Sequence, residues 1–291
     1  MWVVVTVAAA MLQIARTSLQ HDMRHSHDAV SAAAFRFTHG APVAFAVSLV
    51  VFGVADVPVP GIGVDVVVIV VAAGLSQILA TVALLTAFRS RDFAIGTVYS
   101  KAEVPVVGAM GALGLGPALS MLGWAGAAAV VAGVVGLAMR RSEVVGRPWD
   151  PAALIGALSG ALFAGAATGI GAAADRLDGG SSIERALCTL TLMLCFQAAA
   201  MWAWSSLGRG LQMRGAGWSG VWVGALSMLG SLAWAWGFTL AGAARVRTLG
   251  QIEVLIAFVA GAVMHGERHR VRDHVFAALV MAGVITVAIA G

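Results

Sequence analysis

Charged residues are scarce in this sequence. Only 11% of its 291 residues are Asp, Glu, Lys or Arg, whereas 60% are apolar, and ordinary soluble domains carry about a quarter charged residues. This composition excludes a soluble globular protein and predicts an integral membrane protein. The net charge of +4 does not indicate a nucleic-acid partner, because the basic residues are scattered through short segments between apolar runs.

Cysteine and catalytic motifs are lacking too. Cys188 and Cys195 lie seven positions apart on one apolar segment, where they share a helix face and cannot bridge each other. Two thiols lack the ligand count of a zinc site, and no nucleophile elbow, phosphate loop or HExxH motif occurs. Histidine clusters at 21–28 and 265–274 are interpreted as solvated loops. We expect no metal ion and no cofactor.

Small and apolar residues are abundant instead. The 36 glycines favour close helix packing through small-xxx-small faces, as at Gly156 and Gly160 or at Gly220 and Gly224. The strands of a membrane barrel would need alternating polarity, which is not the pattern here. We therefore predict a helical bundle.

Ten apolar runs approach the length of about 20 residues that is needed to cross a bilayer. They fall at about 2–20, 29–53, 65–88, 92–113, 118–139, 151–174, 184–204, 218–240, 245–264 and 273–290. Gly114, Gly116 and Pro117 predict a turn between the fourth and fifth runs. The predicted fold is all-α with ten transmembrane helices.

The chain repeats itself at an offset of 150 residues. At that offset Glu103 and Val104 fall on Glu253 and Val254. Because each half holds five predicted helices, the second half must enter the membrane from the opposite side. We predict two inverted five-helix repeats, covering residues 1–146 and 147–291.

The distribution of arginines predicts the orientation in the membrane. One set of connecting segments holds most of them, namely Arg16, Arg24, Arg36, Arg89, Arg91, Arg140, Arg141, Arg147, Arg209, Arg214, Arg268, Arg270 and Arg272. The other set holds Arg176, Arg185, Arg245 and Arg247. The first set is expected to be cytoplasmic. With ten helices, both termini then face away from the cytoplasm.

A family resemblance is carried by four segments: QIARTSLQ (13–20), FRFTHGAPVAF (35–45), FRSRDFAIGTVYSKAE (88–103) and GFTLAGAARVRTLGQIEVL (237–255). These segments resemble the ten-helix EamA-type members of the drug/metabolite transporter superfamily, and the resemblance extends over nearly the whole chain. It implies site roles for the arginine of the second helix, the Lys-x-Glu of the fourth and the Gly-Gln-x-Glu of the ninth. Those residues are Arg36, Lys101, Glu103, Gln251 and Glu253.

The resemblance implies a secondary carrier, often an exporter, of small metabolites or drugs in the bacterial inner membrane. One departure lies at the end of the fourth helix, where the family often has a polar GE and this chain reads GLGP (114–117). The end of the fourth predicted helix is therefore less polar than the resemblance leads one to expect. The resemblance does not name the substrate, the direction of transport, the coupling ion or the oligomeric state.

Glu103 and Glu253 are the principal candidates for chemistry. A carboxylate at the bilayer centre costs about 3 kcal/mol, so each glutamate should face a cavity or a partner. Equivalent positions in two repeats predict one central site at the repeat interface. Either glutamate could bind a proton or a cationic group there. The alternative interpretation is a structural ion pair within the bundle.

Several neighbours could complete the site. Lys101 points about 200° away from Glu103 on a helix, so its partner must lie elsewhere. Tyr99 shares the Glu103 face and is either its hydrogen-bond donor or an interfacial anchor. Pro105 predicts a kink just past Glu103 or is a tolerated membrane proline. Arg36 either neutralises Glu103, binds an anionic substrate or extends to the headgroups.

Polar and aromatic residues in the apolar runs are secondary candidates. Gln13, Gln77 and Gln197 are expected to form interhelical hydrogen bonds, with substrate contact as the alternative. Trp234 and Trp236 could stack on an aromatic or cationic ligand. Packing or interfacial roles are the preferred interpretation in a chain with nine tryptophans.

Three classes of function are compatible with these residues. The preferred hypothesis is alternating-access transport of a small solute, coupled to protons through Glu103, Glu253 or both. The competing hypotheses are a membrane-embedded enzyme that uses the glutamates as acid and base, and a lipid flippase or non-transporting receptor. We expect no enzyme, because no Ser/His, metal-ligand or phosphate-binding set accompanies the glutamates. The expected partners are a small-molecule substrate, the lipid bilayer and protons.

Overall fold

The computed structural model describes residues 1–23, 28–90, 100–138, 151–207, 210–211, 217–265 and 270–290. The α-helices of this part of the chain are α1 Trp2–Met23, α2 Ala29–Ser48, α3 Val64–Ser90, α4 Glu103–Met110, α5 Met121–Ala138, α6 Pro151–Arg176, α7 Ser182–Ser206, α8 Gly217–Ala241, α9 Ala243–Leu249, α10 Ile252–His265 and α11 Val271–Ala290. π-Helical turns extend α2 to Val54 and α4 to Leu115. These ranges contain no strand, which confirms the all-α class.

Several of these helices have the length and composition of membrane spans. Six are long and apolar enough by those criteria: Ala29–Val54, Val64–Ala87, Ala153–Arg176, Ser182–Ser206, Gly220–Ala241 and Val271–Ala290. Shorter apolar helices cover Trp2–Arg16, Glu103–Leu115 and Met121–Leu137. Large apolar side chains such as Val68, Leu79 and Leu154 lie on the outside of the bundle, where lipid would cover them. The chain is an all-α membrane protein.

The helix boundaries agree with the predicted runs at one turn and differ at another. Gly114 has a φ of 82° and the helical segment ends at Leu115, which confirms the turn between the fourth and fifth runs. The ninth run, predicted as one helix over 245–264, is instead divided into α9 and α10 by a turn at 250–251. The predicted boundary between the halves, at 146–147, lies outside the described residues.

The helices pack so that the two halves of the chain are interleaved. α3 lies against α6, α1 lies against α8, and α5 lies against α11. α2 contacts both α7 and α8, and α3 also contacts α7. α4 lies against α6, while α1 contacts α9 and α10. The main helix–helix interfaces therefore join the first half to the second.

Glycines bring some of these helices into backbone contact. A Cβ atom on Gly160 in α6 would lie 2.5 Å from the Ser100 carbonyl oxygen, and one on Gly224 in α8 would lie 2.3 Å from His39 Cβ. Real Cβ atoms essentially never approach that closely, so both positions need glycine. The predicted close packing is confirmed at these two glycines.

Gly160→Ala is expected to destabilise the protein by about 1–3 kcal/mol, because the methyl group would meet backbone atoms of Ser100 and Glu103. Gly171→Ala on the same helix is the matched control, since its Cβ would lie 3.7 Å from Phe238 Cβ, an ordinary contact. Both changes gain the same helix propensity, so the difference in melting temperature isolates the clash. Equal melting temperatures would show that Gly160 does not hold the start of α4.

Candidate functional site

Two helices begin within the bundle, and each carries a glutamate in its first turn. α4 begins at Glu103 after a turn at 101–102, and α10 begins at Ile252 after a turn at 250–251. Glu103 is thus the first residue of its helix, and Glu253 is the second. The two turns, at 101–102 and 250–251, correspond to within one residue at the 150-residue offset.

Pro105 lies in the first turn of α4, where a missing N–H has no consequence, because first-turn N–H groups lack intrahelical partners. The Lys101 carbonyl oxygen accepts a hydrogen bond from the Val104 N–H at 3.1 Å. The predicted kink just past Glu103 is therefore wrong. α4 instead begins at Glu103, directly after the turn at 101–102.

Glu253 is held by two donors from the first half of the chain, residues 1–146. Lys101 Nζ lies 2.5 Å from Glu253 Oε1, and the two side chains are 11% and 16% exposed. Gln13 Nε2 donates to Glu253 Oε2 at 2.8 Å. Because the pair is largely buried, its attraction is less screened by water and salt than that of a surface pair. Lys101 thus finds its partner outside its own helix.

Glu103 is held by a cation from the second half, residues 147–291. Arg247 Nε lies 2.9 Å from Glu103 Oε1, an ion pair by distance whose two atoms do not have hydrogen-bond geometry. The guanidinium carbon of Arg247 lies 4.7 Å from the Trp234 ring centroid and 5.3 Å from that of Phe238. Trp234 Nε1 in turn donates to Gln13 Oε1 at 3.1 Å. Trp234 is therefore part of this buried cluster, where its ring supports Arg247.

The two ion pairs are reciprocal across the halves. Glu253 of the second half pairs with Lys101 of the first, and Glu103 of the first half pairs with Arg247 of the second. Gln13 connects the two groups, because it donates to Glu253 and accepts from the tryptophan beneath Arg247. Movement that separates the two halves at this cluster must therefore stretch both pairs.

Two further arginines extend the cluster. Arg36 is buried, and its Nη2 donates to Ser231 Oγ at 3.2 Å. Arg16 is partly buried and close enough to Glu253 to be attracted to it. Arg16 and Arg36 repel each other, and both repel Arg247. Cations from three helices thus meet beside the two glutamates.

The remaining predicted site residues lie at different places. Gln251 is buried, and its Nε2 donates to the Arg247 carbonyl oxygen at 3.2 Å. Gln77 accepts a hydrogen bond from Gln197 Nε2 at 2.9 Å, which joins α3 to α7. This contact is the interhelical bond that its sequence position predicts. Tyr99 lies outside the described residues.

The interhelical hydrogen bonding predicted for Gln13 is confirmed, whereas Arg16 and Arg247 were not predicted as residues of this cluster. The interpretation of Arg247 as a loop charge is wrong, since Arg247 is buried and paired with Glu103. The burial of Arg36 likewise contradicts a loop or headgroup position, and its described contacts do not include Glu103. A signal was present, because positions 16 and 247 fall within apolar runs, where an ionisable residue is expected to be functional.

Comparison with known proteins shows a fold and no function. No protein-family model and no curated protein matches the sequence. A solved structure described only as a "crystal structure of protein" is similar over 99% of this chain and 96% of its own, with a TM-score of 0.72. The two sequences are 18% identical, so the likeness concerns the fold alone.

Proposed function

We propose that this protein is a secondary carrier, of EamA type in the drug/metabolite transporter superfamily, that moves a small solute across the membrane by alternating access. The observation that carries this proposal is the pair of reciprocal, largely buried ion pairs at the starts of α4 and α10. In carriers built from repeats, interrupted helices and buried charges between the halves form the sites for substrate and coupling ion. The direction that we favour is export.

Helix boundaries support two inverted five-helix repeats. α5 begins at Met121 and α11 begins at Val271, 150 positions later, and the other helices follow nearly the same offset. With α9 and α10 counted as one interrupted helix, the described residues of each half contribute five α-helices. An odd number per half requires the second half to run in the opposite direction through the membrane.

Helix packing supports the same two-fold relation. At this offset α1 is the counterpart of α6, α2 of α7 and α3 of α8. Exchanging counterparts turns the contact between α1 and α8 into one between α6 and α3. The same exchange turns the contact between α2 and α8 into one between α7 and α3. Both members of each pair of contacts are present. The contacts of α2 with α7 and of α5 with α11 map onto themselves, as they should about a two-fold axis.

Proton binding to either glutamate would weaken the link between the halves. Glu253 attracts Lys101, and Glu103 attracts Arg247, only while the carboxylates are ionised. A proton taken up from one side of the membrane therefore favours separation of the halves on that side. Release of the proton on the other side re-forms the pairs. In this mechanism the solute binds between the halves while the pairs are open.

Purified protein in liposomes tests this function. Amino acids, organic acids, phosphate esters and amines are added one at a time, and an enclosed pH-sensitive dye reports proton movement. We expect at least one solute to move protons, with no response in empty liposomes or with the Glu103→Gln/Glu253→Gln variant. Chemical conversion of a solute without its movement would instead indicate a membrane-embedded enzyme. Transfer of a labelled lipid between leaflets, without solute movement, would indicate a flippase.

The termini are expected on the non-cytoplasmic side. The arginine asymmetry persists when Arg16, Arg36 and Arg247 are left out because they lie in the central cluster. In a bacterial host, a C-terminal alkaline phosphatase fusion should therefore be active, and a green fluorescent protein fusion should be dark. The opposite pattern would reverse the orientation and leave the ion pairs unaffected.

A further inference from the structure

Cations outnumber carboxylates in the central cluster. Lys101 and Arg247 each lie within ion-pair distance of a glutamate. Arg16 and Arg36 then remain in excess of the described carboxylates at this place. The site therefore carries surplus positive charge before any solute enters it.

Arg36 has little compensation for its charge. It is 6% exposed, its Nη2 bonds to the neutral Ser231 hydroxyl, and its guanidinium carbon lies 5.6 Å from the Phe37 ring centroid. Its Nε is buried without a hydrogen-bond partner. Among the residues that the structure describes, no carboxylate lies within ion-pair distance of Arg36. The charges that act on it most strongly, Arg16 and Arg247, are repulsive.

Arg16 is in a similar position. Its Nε is also buried without a hydrogen-bond partner. Glu253 attracts it, but both Glu253 oxygens already accept hydrogen bonds, one from Lys101 and the other from Gln13. A guanidinium group has five N–H donors. Arg16 and Arg36 therefore bring unused donors into one buried place.

A buried group of like charges is unfavourable unless a counter-charge joins it. The N-terminus of α10, whose first turn contains Glu253, adds positive potential at the same place. Guanidinium groups bind carboxylate and phosphate oxygens through paired N–H donors. An oxyanion would therefore neutralise the surplus charge and use the free donors.

We propose that the solute of this carrier is a small organic anion whose carboxylate or phosphate oxygens bind Arg16 and Arg36. This assignment rests on the proposed carrier function, which brings a solute to the site. Lys101 and Arg247 are held by the glutamates and serve the link between the halves. The anion thus occupies the part of the cluster that the ion pairs leave uncompensated.

Binding is measured first without transport. The full-length protein in a neutral detergent is melted with benzoate, phenyl phosphate, the neutral benzamide or the cationic benzylamine. A ligand that binds only the folded state raises the melting temperature. We expect a rise of about 2 °C or more with an anion and none with benzamide or benzylamine. The larger of the two anion shifts distinguishes carboxylate from phosphate. The absence of any anion-specific shift would overturn the proposal.

Variants then locate the bound anion. Arg16→Gln and Arg36→Gln should each raise the anion concentration for half of the thermal shift about tenfold. Arg36→Lys keeps the charge and should bind with intermediate affinity, which keeps the test valid if Arg36→Gln does not fold. Arg176→Gln, at the exposed end of α6, is the control and should bind as the wild type does. Unchanged anion binding in the Arg16 and Arg36 variants would overturn the assignment.

The two proposals fail in different ways. Anion binding without movement of any solute in liposomes would contradict the carrier function and leave the anion site standing. Proton-coupled movement of neutral or cationic solutes alone would leave the carrier function standing and overturn the anionic substrate.

Discussion

Glu253→Gln is expected to reduce proton-driven solute uptake to the level of empty liposomes. Glutamine keeps nearly the same shape, and its one carbonyl oxygen can still accept a hydrogen bond from Lys101, although its NH2 group then faces the Gln13 donor. It cannot gain and lose charge as the halves reorient. Solute exchange at equal concentrations should persist, because exchange requires only that the loaded carrier reorients. Both rates are measured in the same liposomes.

A matched set of variants separates loss of coupling from loss of stability. Glu253→Gln leaves Lys101 buried without a charged partner, at a cost of about 3 to 5 kcal/mol. Lys101→Met/Glu253→Gln removes that stranded charge, so it should melt at a higher temperature than Glu253→Gln and still show no driven uptake. If the pair were only structural, uptake would return together with stability.

Asp65→Asn is the control for the replacement of a carboxylate by an amide. The Asp65 carboxylate is 61% exposed and lies 3.7 Å from Arg176, so its neutralisation should change stability by less than about 1 kcal/mol. Uptake should remain at the wild-type level. Full proton-driven uptake in both Glu253→Gln and Glu103→Gln would contradict coupling through these carboxylates.

Arg247→Gln is expected to lower the free energy of unfolding by about 3 to 5 kcal/mol. The change leaves the buried Glu103 carboxylate without its cation. It also removes the guanidinium group from the faces of Trp234 and Phe238, where a buried cation contributes about 2 kcal/mol or more. Melting temperature and denaturant unfolding in detergent measure the loss.

A double-mutant cycle isolates the ion pair from the ring contacts. Glu103→Gln/Arg247→Gln removes both charges, so it should recover much of the stability that Arg247→Gln loses. We expect a coupling energy of about 1–3 kcal/mol between the two positions. The control cycle combines Glu103→Gln with Arg176→Gln, because Arg176 pairs with Asp65 and not with Glu103. The two changes in unfolding free energy should be additive there. Additivity of the Glu103 and Arg247 changes would show that their buried contact does not stabilise the fold.

Hydropathy was sufficient to predict an all-α membrane protein, because the bilayer requires long apolar segments whose backbone groups bond internally. The turn near Gly114 was also predictable, since glycine and proline act on the local backbone. The interruption of the ninth run was not. Apolar residues flank it, and the Gly250 N–H still donates to the Val246 carbonyl oxygen at 2.8 Å. A Cβ on Gly250 would lie 2.3 Å from the Trp234 ring. Residue 250 therefore needs glycine because of its contact with α8, which is distant in sequence.

Glu103 and Glu253 could be identified from the sequence because a carboxylate within an apolar run is costly whatever surrounds it. Their partners could not be identified in that way. Lys101 is 152 positions and Gln13 is 240 positions from Glu253, and their contacts depend on which helices are neighbours. Hydropathy measures how apolar each segment is and does not specify its neighbours. Arg247, near the start of its run, had the pattern of a loop charge, and the packing of α9 against α4 places it beside Glu103.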